Sequence, residues 1–172
     1  MKKLCIIILC LSFLYGCQNK PLTPDTFKES SEIFIFHKNI NDFSDSLPNE
    51  NQHFTFEKLE KQDAQFIMTY QVKEVSCLQL NFDENEQLKS ISFGNIENID
   101  GYQYSKLGIL PSALILSIMY SDIEEENLDT IAKFLSEPFS SDKQMKLEDN
   151  KIDSTISISK DIKKQIITLV IE

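Results

Sequence analysis

The side chains that could carry chemistry are few and far apart. The chain has four cysteines (Cys5, Cys10, Cys17 and Cys77) and two histidines (His37 and His53). Neither histidine has a Cys or His partner at metal-ligand spacing, so no zinc set is formed. Asp83-Glu84-Asn85-Glu86 has the acids of a calcium-binding loop, but it lacks the glycine of position 6, and Gly94 stands where the glutamate of position 12 belongs. A solvated hairpin turn is the expectation there. Glu124-Glu125-Glu126 reads as the first turn of a helix, where the macrodipole favours acids. Nucleotide-binding loops, G-x-S-x-G and H-E-x-x-H are absent from the sequence. No cofactor, metal or catalytic residue is implied. Tyr102 and Tyr104 remain as a candidate binding loop, because they lie in a segment holding Gly94, Gly101 and Gly108, all the glycines beyond Gly16.

The N-terminus carries the strongest pattern. Met1-Lys2-Lys3 is a short positive start, Leu4 to Tyr15 is uncharged and mostly apolar, and Gly16-Cys17 follows. This is the layout of a secretory signal peptide, shorter than the ~20 apolar residues that span a bilayer. Leu14-Tyr15-Gly16-Cys17 resembles the lipobox of bacterial lipoproteins, departing from it only in Tyr15, where Ala or Ser is usual. The resemblance implies cleavage between Gly16 and Cys17, a diacylglyceryl thioether on Cys17, and a membrane as partner through that lipid. Two or three acyl chains suffice to hold a protein stably, where one binds marginally. Gln18, rather than Asp, follows the cysteine, which implies the outer membrane in a Gram-negative cell. With Cys5 and Cys10 removed and Cys17 modified, Cys77 is left alone, and a buried, unpaired thiol is expected.

Charge narrows the partners. The net charge is −10, and losing Lys2 and Lys3 with the signal leaves −12. Every basic residue is lysine, so there is no guanidinium fork for phosphate or guanine. An acidic surface repels nucleic acid, whereas a basic protein partner would be steered toward it.

The elements that must position these groups follow from periodicity. Thr23-Pro24-Asp25 reads as a helix start, and Ile33, Phe36, Ile40, Phe43 and Leu47 give one apolar helical face ending at Pro48. From His53 to Phe93 the period is two: Phe54 and Phe56; Phe66, Met68, Tyr70 and Val72; Leu78, Leu80 and Phe82; Ile91 and Phe93. Alternation places Cys77 on the face of Gln79 and Asn81. Pro111 opens an apolar helix. Ser121 with Glu124 predicts a capping box for a second helix with Leu128, Ile131, Ala132 and Leu135 inside, stopped by Pro138. Ile152, Ile156 and Ile158 form a strand, and Gln165–Ile171, apolar on both faces, predicts a central one.

The expected fold class is α+β: an antiparallel sheet of about six strands packed on one face by about three helices, in the order α-ββββ-αα-ββ. Residues 1–16 are the expected signal peptide, 17–22 a lipidated N-terminus and linker, and 23–172 one domain. The expected function is a non-enzymatic, lipid-anchored binding protein of the cell envelope. It would present a sheet face or the 94–108 loop to a protein or envelope partner. The alternatives are an inhibitor or immunity-type lipoprotein with a basic target, and an envelope hydrolase whose site is gathered from several elements.

Overall fold

Two periodicities build two layers. The structure, a computed structural model, describes residues 21–47, 50–94, 123–137, 142–161, 163–164 and 166–172. Helix α1 (Glu32–Ser46) buries Ile33, Phe36, Ile40 and Ser44, with Phe43 and Leu47 half-buried on the same stripe, as the three- and four-residue spacing requires. Its start differs from the expectation. Pro24–Thr26 forms only a 3₁₀ turn, after which Phe27 adopts extended backbone. The Phe27 ring then packs edge-on against Phe66 at 5.5 Å. Seating that ring interrupts the helix, which begins again after Ser31.

Helix α2 (Glu125–Ser136) buries Leu128, Ile131 and Leu135. The expected capping box is corrected here: Glu124 takes the N-cap position itself, and Ser121 lies outside the described residues. The helix expected from Pro111, and the stops at Pro48 and Pro138, also lie outside them.

The other layer is a seven-stranded antiparallel sheet: β1 (Thr55–Gln62), β2 (Gln65–Val72), β3 (Val75–Phe82), β4 (Leu88–Phe93), β5 (Lys143–Asp149), β6 (Ser154–Asp161) and β7 (Ile166–Ile171), ordered β1-β2-β3-β4-β7-β6-β5. The fold is therefore α+β with an antiparallel sheet, as expected. Its strand count is seven rather than six, and the described order is α-ββββ-α-βββ. The strand that periodicity missed is β5, an edge strand whose sequence, KQMKLED, leaves only Met145 and Leu147 as apolar inward positions. The closing strand β7 is interior, between β4 and β6.

One face of this sheet carries the core. A single cross-strand row runs Leu59, Met68, Leu80, Ile91, Leu169, Ile158, Met145 across all seven strands. Its neighbour runs Phe56, Tyr70, Leu78, Phe93, Ile167, Lys160, Lys143. Both described helices pack on this face. Phe36 of α1 meets Phe82 at 6.0 Å, and the α2 carbonyls meet Lys160. Each fully buried Leu, Ile or Phe here contributes roughly 1.5–3 kcal/mol of transfer free energy. The tight turns do without glycine. Lys73 and Glu74 link β2 to β3 with φ of 49° and 65°, the pairing a type I′ turn demands.

Candidate functional site

The lipobox residues Gly16 and Cys17 and the candidate loop residues Tyr102 and Tyr104 lie outside the described residues. The other residues singled out by sequence are dispersed. His37, on the middle of α1, is stacked on Tyr70 and edge-on to Phe56. Asn41 Nδ2 donates to its Nε2 at 3.1 Å, which leaves the proton on Nδ1 to be donated to Tyr70 Oη at 2.5 Å. The Tyr70 hydroxyl in turn points at Met68 Sδ, 3.6 Å away. Nδ1 thus ties α1 to β2, while Asn41, on the same helix, holds the ring in orientation. Burial lowers the His37 pKa, opposed by the charge of Asp25. The same burial, with Asp25 adding to it, raises that of Tyr70. His53 donates from Nε2 to the Leu47 carbonyl at 3.1 Å, closing the end of α1. The two histidines therefore serve the middle and the C-terminal end of one helix rather than one centre.

Asp83 forms the β3–β4 turn. Its Oδ1 accepts from the amides of Asn85 and Gln87 at 2.9 and 3.0 Å. Cys77 is the extra residue at a bulge, since Tyr70 pairs Leu78 while Gln71 pairs Ser76. It borders the same hollow of the sheet surface as Thr69, Gln79 and Ser92. It is buried, 3.9 Å from the Tyr70 carbonyl, and burial pushes its thiol up to about 12.

Two buried charges escaped the sequence reading, and both position α2. Asp149 is 2 % exposed. Its Oδ2 accepts from the Glu124 amide and Asn127 Nδ2, and its Oδ1 from the amides of Lys151 and Ile152. It supplies the N-cap carboxylate from another element. Burial pushes this carboxyl up, and the hydrogen bonds from Asn127, Glu124, Ile152 and Lys151 outweigh it, so the pKa is lowered. At the other end, Lys160 Nζ donates to the carbonyls of Phe134, Leu135 and Glu137 at 2.5, 3.1 and 2.9 Å, where the helix dipole favours a cation. Burial lowers the Lys160 pKa, the Glu137 carboxylate opposes that, and Lys143 adds to it. Spacing within one segment could not have revealed either role, because the helix groups that each one holds lie 22 to 26 residues away in sequence.

On the face of the sheet away from the described helices, two rows are low in charge. One row runs Glu60, Ile67, Asn81, Ser90, Val170, Ser157, Lys146, and the next runs Lys58, Thr69, Gln79, Ser92, Thr168, Ser159, Gln144. Over the five inner strands these rows present ten side chains without a charge, in a chain of which 26 % is charged. Eight of the ten are hydroxyls or carboxamides, and all but Thr69 are half-buried or exposed. Gln79 donates to Asn81 at 2.9 Å and Asn81 to Ser90 at 2.7 Å, so the amides are already held in plane. Two shallow hollows lie on this face: one of about 380 Å³ bounded by Gln144, Lys146, Ser157, Ser159 and Val170, the other of about 150 Å³ beside Thr69, Gln79 and Ser92. A cleft of about 340 Å³ opens on the opposite side, between the N-terminus of α1 and the β5–β6 turn, over Phe36, Leu88 and Ile171.

Among the described residues there is no cluster of His, Cys, Asp and Glu that could hold a metal ion, and no helix long and apolar enough to cross a membrane. Comparison with protein-family models, with curated proteins and with solved structures finds no match.

Proposed function

We propose that this chain is a lipid-anchored, non-enzymatic binding protein of a bacterial cell envelope, which works by presenting the open face of its sheet to an envelope partner. The observation that carries the reading is the charge-free patch on the five inner strands. Depletion of charge at the centre of a surface is the compositional mark of an interface, because a charge buried by a partner must lose its hydration. The charged residues of those rows, Lys58, Glu60 and Lys146, stand on the edge strands β1 and β5. The lipid expected on Cys17 supports the same reading, since it keeps the domain within reach of envelope components.

Two experiments test the two halves. Metabolic labelling with palmitate, together with the mass of the mature N-terminus, reads the anchor. A chain beginning at a lipidated Cys17, with label lost in Cys17→Ser, is expected. A chain still beginning at Met1, or an unmodified sulfur, overturns the anchor. For the face, a photoreactive amino acid is placed at Gln79 or Ser159, and at Lys38, exposed on α1, as the control. Adducts from the two sheet positions and not from Lys38 are expected. No adduct from either sheet position overturns the reading.

A further inference from the structure

We infer that the open face takes an uncharged, linear polysaccharide, laid across the strands along the two low-charge rows. The inference rests on reading that face as the binding surface, and it deepens that reading by naming the chemical class of the ligand.

The first argument is shape. The uncharged part of the two rows covers the inner strands β2, β3, β4, β7 and β6. Strands about 4.8 Å apart make this strip roughly 19 Å long, and two outward residues per strand make it only about 7 Å wide. A globular partner needs about 800 Å², several times that area. A linear polymer needs only a strip one chain wide. Both hollows of the face lie along it. The one of about 150 Å³ adjoins Thr69, Gln79 and Ser92, and the one of about 380 Å³ adjoins Ser157, Ser159 and Val170. They offer two shallow seats for sugar rings on one line.

The second argument is hydrogen bonding. A sugar hydroxyl both donates and accepts, and so do Ser, Thr, Asn and Gln, whereas an ammonium only donates and a carboxylate only accepts. Gln79, Asn81 and Ser90 are already joined to one another, which fixes the carboxamides toward one end of the strip. Among the described residues, no partner takes the hydroxyls of Ser92, Thr168, Ser157 or Ser159, all of them half-buried. Those four stand ready for a ligand on β4, β7 and β6.

The third argument is charge. The chain is at −10 and lysine is its only base, so a polymer of uronic acids or phosphodiesters is repelled and finds no guanidinium fork. The charged residues that end the rows are paired within the chain, Lys58 with Glu60 at 3.1 Å and Lys146 with Glu172 at 3.6 Å. Recognition is left to the neutral strip between them. Contacts of this kind are individually weak, and a polymer compensates by offering overlapping sites along its length.

The test is retention of the full chain by insoluble glycans. The chain, held in a polyoxyethylene detergent that has no sugar head group, is mixed with particles of chitin, cellulose or cross-linked dextran, and with a polyuronate gel as the charged control. Retention on at least one neutral glycan, and none on the polyuronate, is expected. It should be unchanged between about 0.05 and 0.5 M salt, because no ion pair is there to be screened. Thr168→Glu sets a carboxylate in the middle of the strip, and Ser159→Glu one beside the larger hollow. Each is expected to lower retention by more than about tenfold, with circular dichroism unchanged. Thr168→Ser, which keeps the hydroxyl, and Lys38→Glu, on α1, should be retained like the wild type. No retention on any neutral glycan, equal retention on the polyuronate, retention that falls with salt, or full retention of both glutamate variants overturns the inference. If it is overturned and the photoreactive residue at Gln79 captures a protein, the binding-surface reading stands without the glycan. If that residue captures nothing, both fall.

Discussion

Replacing Asp149 by Asn tests how α2 is held, because it changes hydrogen-bonding polarity at nearly constant volume. Glu124 N and Asn127 Nδ2 lie 2.9 and 2.7 Å from Oδ2, and the amides of Lys151 and Ile152 lie 3.1 and 3.2 Å from Oδ1. All four are donors. Whichever way the new carboxamide lies, its NH₂ faces two N–H groups, so two bonds to a charged acceptor are lost and the other two become neutral. Each lost bond is worth about 1.5–3 kcal/mol, and relief of the buried charge returns part of that, leaving a net destabilisation of about 3 kcal/mol. With a urea slope of about 2 kcal/mol/M for a domain of this size, the midpoint falls by about 1.5 M at neutral pH. Far-UV circular dichroism during a urea titration reads it. Asn127→Ala in a double-mutant cycle with Asp149→Asn should show a coupling of about 1 kcal/mol. The sign with pH follows from linkage. The folded carboxyl titrates below the ordinary aspartate value of 3.8, so its contribution is complete above that value and is lost as pH falls through the depressed one. Wild-type and variant stabilities therefore converge toward the acid end. A loss smaller than about 1 kcal/mol, or curves that stay parallel into acid, would refute the claim that this carboxylate tethers the helix.

Other consequences are as direct. Lys160→Met removes the donor shared by three carbonyls at the C-terminal end of α2 and should destabilise the fold by about 2–4 kcal/mol in the same titration. Burial holds His37 below its ordinary 6.5, so the unfolded chain takes up that proton first. Stability should be full above that pH and decline as pH falls toward the folded pKa, a slope that His37→Gln flattens. The Cys77 thiol, pushed up to about 12, should resist alkylation at about pH 8 in the folded chain and react fully in concentrated urea, followed by peptide mass. Substituting Asn-Gly for Lys73-Glu74, both left-handed, should raise stability by about 1 kcal/mol or more, measured as an increased urea midpoint.

Much of the architecture was legible because it is written in local periodicity. Ile33, Phe36 and Ile40 reveal a helix, and Phe66, Met68 and Tyr70 reveal a strand, since burying one face of each element forces a period of three to four or of two. Legibility failed where tertiary contacts override local pattern. The Phe27 ring, seated on Phe66, cuts off a helix that Thr23-Pro24-Asp25 announces. The N-terminus of α2 is fixed by Asp149, 25 residues away from Glu124, so the apparent Ser121–Glu124 box misplaced it. β5 hid because an edge strand needs only one apolar side, and its charges mask the alternation.

The sequence by itself determined the class of the fold, the sign of the surface charge, and the expectation of a lipid on Cys17. Each is a property of composition or of residues within one or two turns of one another. Which strands are neighbours was decided only in three dimensions, and with it the alignment of Thr69, Gln79, Ser92, Thr168 and Ser159 into one uncharged row. Along the chain those residues are as much as 99 positions apart, each a single polar residue within a strand. Register brings them together, because strands pairing at about 4.8 Å convert distant sequence positions into adjacent surface.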